Sequence, residues 1–196
     1  ADSSDPASVL DDGFDDEHGT TVVPNRASVD GRRMRRRAAT SDAEWVVARL
    51  GELGWTLGVA ESLTGGLLAA SIVDVAGASA VFQGGIIAYA TPLKASLLGV
   101  DRELLAAQGP VHPEVARQMA EGVRAAVAVD GVRAHVGLST TGIAGPDSPD
   151  GQPVGTVHIG STPLGSRVVS LQLPGNRSQV RQEASRRALR ALLEAL

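Results

Sequence analysis

From Ser41 onward the chain alternates between stretches whose apolar positions recur at helical spacing and short apolar runs bounded by turn formers. These two patterns read as helices and strands respectively. Ser41-Asp42-Ala43-Glu44 has the form of a capping box, in which Ser41 accepts from the third helical N–H and Glu44 reaches back. Trp45, Val46, Ala48, Leu50 and Leu53 follow at helical spacing, and Gly51 or Gly54 closes the helix. Thr56–Glu61 reads as a strand, Thr64–Val75 as a helix ended by Gly77, and Val81–Tyr89 as a second strand whose paired glycines, Gly84-Gly85, suggest a bulge or a close backbone approach. Thr91-Pro92 opens a short helix, with Thr91 expected as the N-cap. Asp101–Ala107 is another short helix, and Pro113–Val129 a long one with His112 at its start. Its apolar face is expected to comprise Val115, Met119, Val123, Ala126 and Val127.

Arg133–Thr141 reads as a third strand. Val154–Gly160 and Arg167–Leu173 follow as a hairpin turning through Pro163–Ser166. Asn176 caps a last helix running to Leu196, with Val180, Ala184, Ala188, Leu192 and Ala195 facing inward. Alternating strands and helices followed by a hairpin predict an α/β domain of three layers, with a mixed central sheet and helices on both faces.

The first forty residues break this pattern. Asp2, Asp5, Asp11, Asp12, Asp15, Asp16 and Glu17 form an acidic start, and Arg32, Arg33, Arg35, Arg36 and Arg37 a basic end. Apolar positions between them are sparse and without period, which predicts a disordered or extended tail over 1–40 and a folded domain over 41–196. The arginines at 32–37 suit nucleic acid or an acidic partner, and equally a solvated linker or pairing with the acidic segment.

Composition narrows the chemistry. Only 3% of residues are aromatic against 43% hydrophobic, so the core is built from Ala, Val, Leu and Ile in closely approaching elements. There is no cysteine, which excludes disulfides, thiolate nucleophiles and thiolate-bound zinc. The four histidines have no metal-ligand spacing, and no cofactor or metal is expected. No apolar run approaches the roughly 20 residues of a membrane span. The N-terminal residues carry no signal-peptide core, so a cytoplasmic location is the default expectation.

Candidate chemistry centres on Ala60-Glu61-Ser62-Leu63-Thr64-Gly65-Gly66, a strand end running into a helix. Such turns are where α/β proteins hold ligands. Ser62 supplies a hydroxyl, Gly65 and Gly66 permit close approach, and the helix N-terminus would face an anion or a developing oxyanion. Lys94 falls in the first turn of its helix, an unfavourable place for a cation unless it is exposed or aimed into a site. Arg177 and Arg181 likewise crowd the positive end of the last helix, either as solvated cations or around a phosphate.

Four segments in order carry a resemblance. They are Glu61-Ser62-Leu63-Thr64-Gly65-Gly66; Gly84-Gly85-Ile86-Ile87-Ala88-Tyr89 with Lys94; Thr141-Gly142-Ile143-Ala144-Gly145-Pro146 leading to Pro153-Val154-Gly155-Thr156-Val157; and Gly175-Asn176-Arg177. Together they resemble the CinA C-terminal domain, the nicotinamide-nucleotide amidohydrolase family, over about residues 41–196. Larger members carry a preceding molybdopterin-binding-like domain, which no segment here resembles. The resemblance implies hydrolysis of nicotinamide mononucleotide to nicotinate mononucleotide and ammonia. It implies Ser62 as nucleophile with Lys94 as its base, a role that needs the amine pKa to fall from about 10.4 towards neutrality.

Tyr89 would orient the lysine or hydrogen-bond the substrate, and completes the expected catalytic set. The amides of Gly65 and Gly66 would donate to the oxyanion, commonly worth about 3 kcal/mol per donor. Thr64, Thr141 and Gly142 would line the nucleotide, and Arg177 would take its phosphate. A homodimer or higher homo-oligomer is implied as well. Two departures stand out: Asp147–Gln152 lacks the lysine that family members often carry there, and Thr141 replaces a common serine. The alternative is a non-catalytic competence- or DNA-damage-associated module that binds nucleic acid or a recombination protein through residues 32–37.

Overall fold

A computed structural model describes residues 41–148, 151–165 and 167–196. The expected tail, with its arginines at 32–37, lies outside the described residues. Five strands form one sheet: β1 (Leu57–Glu61), β2 (Phe82–Ile87), β3 (Val136–Gly142), β4 (Thr156–Thr162) and β5 (Arg167–Gln172). Their order across the sheet is β2-β1-β3-β4-β5. β1 pairs parallel with both β2 and β3, whereas β3, β4 and β5 pair antiparallel. The α-helices are α1 (Asp42–Leu53), α2 (Leu67–Val73), α3 (Thr91–Leu98), α4 (Arg102–Gln108), α5 (Pro113–Ala126) and α6 (Arg177–Leu193).

The sheet is mixed and covered on both faces, as the sequence pattern predicts. On one face Leu57, Val59, Val136, Leu138, Val157 and Ile159 meet Val46 and Leu50 of α1, Leu68 and Ile72 of α2, and Val180, Ala184, Ala188 and Leu192 of α6. On the other, Ala60 packs with Leu98 of α3 and with Val115, Met119 and Val123 of α5, while Leu104 and Leu105 of α4 border the cluster. All five residues of β1 are buried, which explains its continuous apolar reading: a strand covered on both faces does not alternate.

The scarcity of aromatics is answered by close approach. A Cβ placed on Gly137 would lie 1.7 Å from the Ala120 carbonyl oxygen, and one on Gly160 would lie 2.4 Å from that of Ala116. Helix α5 therefore presses its backbone against β3 and β4, and Ser139 Oγ donates to Ala116 O at 2.6 Å. This is why Ala116 and Ala120 are buried while Ala126, expected on the inner face, is exposed. The helix also stops three residues short of Val129, where Asp130 and Gly131 take positive φ between the bridged Val129 and Val132.

Other boundaries shift for local reasons. The capping boxes at Ser41/Glu44 and Asn176/Gln179 are both formed, each side-chain cap being worth about 1 kcal/mol. Gly54, in the left-handed region, closes α1, and Gly51 remains inside it. Ala90 rather than Thr91 is the N-cap of α3, with no side-chain cap. The bulge at Gly84 is present: Leu57 pairs with Phe82 but Gly58 with Gly84. Helix α2 begins at Leu67, three residues later than expected, because Gly65 and Gly66 take φ of 57° and 97°.

The topology already selects a site. β1 sends its connection through α2 to β2 on one side, while its other neighbour is β3. The crevice at the carboxyl ends of parallel strands, where the order reverses, is where open α/β sheets bind ligands. Ser62 follows β1, Ala88 and Tyr89 follow β2, and Thr141 and Gly142 end β3, so three of the four motif segments open onto that edge.

Candidate active site

A cavity of about 220 Å³ lies at that edge, lined by Ser62, Leu63, Tyr89, Lys94, Pro110, Val111, Thr141–Gly145, Asp147 and Arg177. Ser62 and Lys94 form its floor. Lys94 Nζ donates to Ser62 Oγ at 3.1 Å and to the Ala88 carbonyl at 2.8 Å. The lysine is 1% exposed and the serine 8%. Its place on α3 explains the burial: Lys94 and Leu98 are the residues that this helix turns inward. Of the two readings open for Lys94 in the sequence, exposed or aimed into a site, the second describes its position.

Arg177, at the first position of α6, joins the two rims. Its Nη1 donates to Gly145 O at 2.7 Å and its Nη2 to Tyr89 Oη at 2.9 Å. Tyr89 is 60% exposed. Its hydroxyl accepts from Arg177, and the residue lines the same cavity as Lys94. Thr141 Oγ1 donates to Pro110 O at 2.7 Å, holding the 109–112 turn against the end of β3. Asp147 brings a carboxylate to the lining.

The expectation for the α2 helix end is corrected. Its amides do not face the cavity but the carboxylate of Glu61, which is 1% exposed. Glu61 Oε2 accepts from Gly66 N at 2.9 Å and Leu68 N at 3.2 Å, and Oε1 from Ala69 N at 2.8 Å. The Gly65 amide is directed to Ser62 O at 3.1 Å. Among the described residues neither Gly65 nor Gly66 lines the cavity. Thr64 is likewise withdrawn: it is fully buried, with its hydroxyl 2.7 Å from that of Thr140. A carboxylate of the chain itself thus takes the amides at the start of α2.

Two residues gained roles that local reading missed. Glu61 stood inside the motif, but nothing in its spacing told that a carboxylate at a strand end would turn back onto the next helix. Arg181, read as a solvated cation or a phosphate ligand, donates from Nε to Leu63 O and from Nη2 to Thr64 O, both at 2.9 Å.

Among the described residues no histidine lines the cavity. His112 Nδ1 accepts from Glu114 N at 3.2 Å as the N-cap of α5. His158 pairs with Thr141 across the β3–β4 ladder, and its Nδ1 lies 2.8 Å from Ser170 Oγ. Burial, and then the neighbouring His112 charge, hold its imidazole below the ordinary range. Among the described residues no group of three His, Asp or Glu side chains is placed to hold a metal ion, and no helix is long and apolar enough to cross a membrane.

The model of the CinA C-terminal domain matches residues 39–196. The chain belongs to that family. A CinA-like protein from Frankia casuarinae is 53% identical over 130 residues, which cover 66% of this chain and 29% of that one. A CinA-like protein from Chlorobium limicola is 42% identical over 176 residues, 86% of this chain and 40% of that one. The chain therefore spans less than half the length of these curated relatives. Among solved structures, the competence/damage inducible protein CihA from Agrobacterium tumefaciens superposes with a TM-score of 0.70 at 32% identity, covering 79% of this chain and 93% of that one. A CinA superfamily protein from Escherichia coli gives a TM-score of 0.72 at 28% identity, covering 84% and 96% respectively. The sheet and helices described above are those of the CinA superfamily.

Proposed function

We propose that the domain is an amidohydrolase in which Ser62 attacks a carboxamide with Lys94 as base, and that its substrate is nicotinamide mononucleotide. The observation that carries this reading is the 3.1 Å contact between Lys94 Nζ and Ser62 Oγ on the floor of a cavity. A base must offer its neutral amine to take the hydroxyl proton. In the forward step the Ser62 hydroxyl proton passes to Lys94 Nζ as Oγ bonds to the carboxamide carbon. The tetrahedral oxyanion then collapses, the C–N bond breaks, and Lys94 returns the proton to the departing nitrogen, releasing ammonia. Water, deprotonated by the same amine, then attacks the ester carbonyl, and Lys94 returns that proton to Ser62 Oγ as the acyl C–O bond breaks, freeing the acid, which ionises to the carboxylate.

Arg177 supports a phosphorylated substrate. It stands at the rim with its guanidinium between Gly145 O and Tyr89 Oη, and a planar guanidinium suits bidentate capture of phosphate. Tyr89 offers an exposed ring beside it for the heterocycle. Thr141 and Gly142 line the wall against which the nucleotide would lie. The cavity is smaller than the roughly 300–1,000 Å³ usual for ligand sites, which suits a carboxamide inserted to the floor with the ribose phosphate at the mouth. The test is ammonia release from nicotinamide mononucleotide, its riboside and free nicotinamide by wild type and Ser62→Ala. Turnover of the mononucleotide by wild type alone supports the reading, and retained turnover in the variant removes Ser62 as nucleophile.

A further inference from the structure

The turn that carries Ser62 is held by a carboxylate on one side and a guanidinium on the other. Glu61, the last residue of β1, turns its buried side chain forward and takes the N–H groups of Gly66, Leu68 and Ala69. Arg181, one turn into α6, takes the C=O groups of Leu63 and Thr64. Between them, Ser62 N donates to Thr140 O at 3.0 Å and Gly65 N to Ser62 O at 3.1 Å. The backbone from 62 to 69 is thus tied to β3, to its own strand end and to a helix more than a hundred residues away. Gly65 makes room for the guanidinium: its φ is 57°, and a Cβ there would lie 3.1 Å from Arg181 Nη2.

We propose that Glu61 and Arg181 are positioning residues for Ser62, fixing the turn so that its hydroxyl meets Lys94. The proposal rests on the reading of Ser62 as nucleophile. Its physical basis is that the two reacting groups arrive on different supports. Lys94 is fixed from β2 and α3 through the Ala88 carbonyl, whereas Ser62 rides on a turn containing two glycines. A buried carboxylate needs several donors to be tolerated, and three amides at the positive end of α2 provide them. An arginine can span two successive carbonyls because its donors are set in a rigid fork. Neither side chain lines the cavity among the described residues, so both act through the turn and not on the substrate.

The experiment compares Arg181→Gln, Arg181→Lys and Glu61→Gln with wild type, measuring ammonia-release kinetics together with amide hydrogen exchange over 62–69. Expected for Arg181→Gln is a fall in kcat of about tenfold to 100-fold, the scale of a misplacement near 1 Å. The KM should stay within about twofold, since no substrate contact is lost. Exchange should accelerate over 62–69 while α5 and β3 keep their protection. Arg181→Lys should retain only part of the rate, because an ammonium cannot hold both carbonyls in the same geometry. If Glu61→Gln does not fold, the Arg181 variants still decide. An unchanged kcat with unchanged exchange overturns the proposal, as does a raised KM with kcat intact. If wild type releases no ammonia yet exchange responds locally, the amidohydrolase reading fails while the anchoring of the turn stands.

Discussion

Lys94 Nζ and Ser62 Oγ lie 3.1 Å apart although 32 positions separate them along the chain. Helix α2 and strand β2 intervene, and the parallel pairing of β1 with β2 brings the ends of both strands to one edge. Hydrogen-bond reach between nucleophile and base is the geometric condition for nucleophilic catalysis. Replacing Lys94 by Met keeps the volume while removing the base. Ammonia release from nicotinamide mononucleotide should then fall by about 10²–10⁴, with the circular dichroism spectrum unchanged. Activity within about threefold of wild type would remove the lysine from the proton-transfer role.

Arg177 distinguishes a phosphate holder from a purely structural bridge between Gly145 and Tyr89. Arg177→Gln should remove a charge-assisted contact of about 1.5–3 kcal/mol, hence about tenfold to 100-fold in KM for the mononucleotide. The riboside lacks the phosphate, so its weaker turnover should change much less. Equal losses on both substrates would assign the residue to rim architecture alone.

The close seat of α5 on the sheet gives a stability prediction. Gly137→Ala puts a methyl group against the Ala120 carbonyl, a backbone atom that cannot rotate away. Overpacking of this kind costs about 1–3 kcal/mol and more where backbone must shift. Thermal melting of Gly137→Ala against Gly51→Ala makes the control, since a Cβ on the helical Gly51 meets nothing within 4 Å. The first should melt lower than wild type and the second should not.

His158 predicts the direction of pH dependence in the mildly acidic range. Its folded pKa lies below the ordinary 6.5, chiefly through burial and then through His112. The unfolded chain therefore binds more protons in that window, and stability rises with pH through it. This contribution is complete above about pH 6.5 and is lost as pH falls towards the folded value. Urea unfolding should give a lower stability at pH 5.5 than at 7.5, with the difference reduced in His158→Gln. Glu114 acts in a separate window: its hydrogen bond with Arg117 lowers its pKa from 4.5 to about 2, so its share is lost only below 4.5. A stability indifferent to pH between 5.5 and 7.5 would mean that His158 keeps its solution behaviour.

Element order, the Ser41/Glu44 capping box, the Asn176 cap and the irregularity at the paired glycines were legible along the chain because each has a local cause. Ser41 and Glu44 are three residues apart, and the paired glycines offered a bulge or a close backbone approach, of which the bulge is present. The error at α2 was also local in origin. Leu67–Val73 has helical spacing, but Gly65 and Gly66 adopt the left-handed region and hold the helix start back to Leu67. Ala126 was misplaced because a face of small residues can turn by one position without losing its period, whereas Ala116 and Ala120 are chosen by the glycines beneath them.

Sequence alone therefore determined which stretches form the elements and that this chain supplies no thiol, since these follow from spacing and composition. Tertiary structure alone decided the partners. Periodicity states that a side chain faces inward, but not which strand end, carbonyl or carboxylate meets it there. Whether Lys94 reaches Ser62, whether the α2 amides meet a ligand or Glu61, and whether Arg181 faces solvent or the Leu63 and Thr64 carbonyls depend on strand order and on how α6 crosses the sheet. Those are properties of contacts between residues far apart in the chain, and no local pattern encodes them.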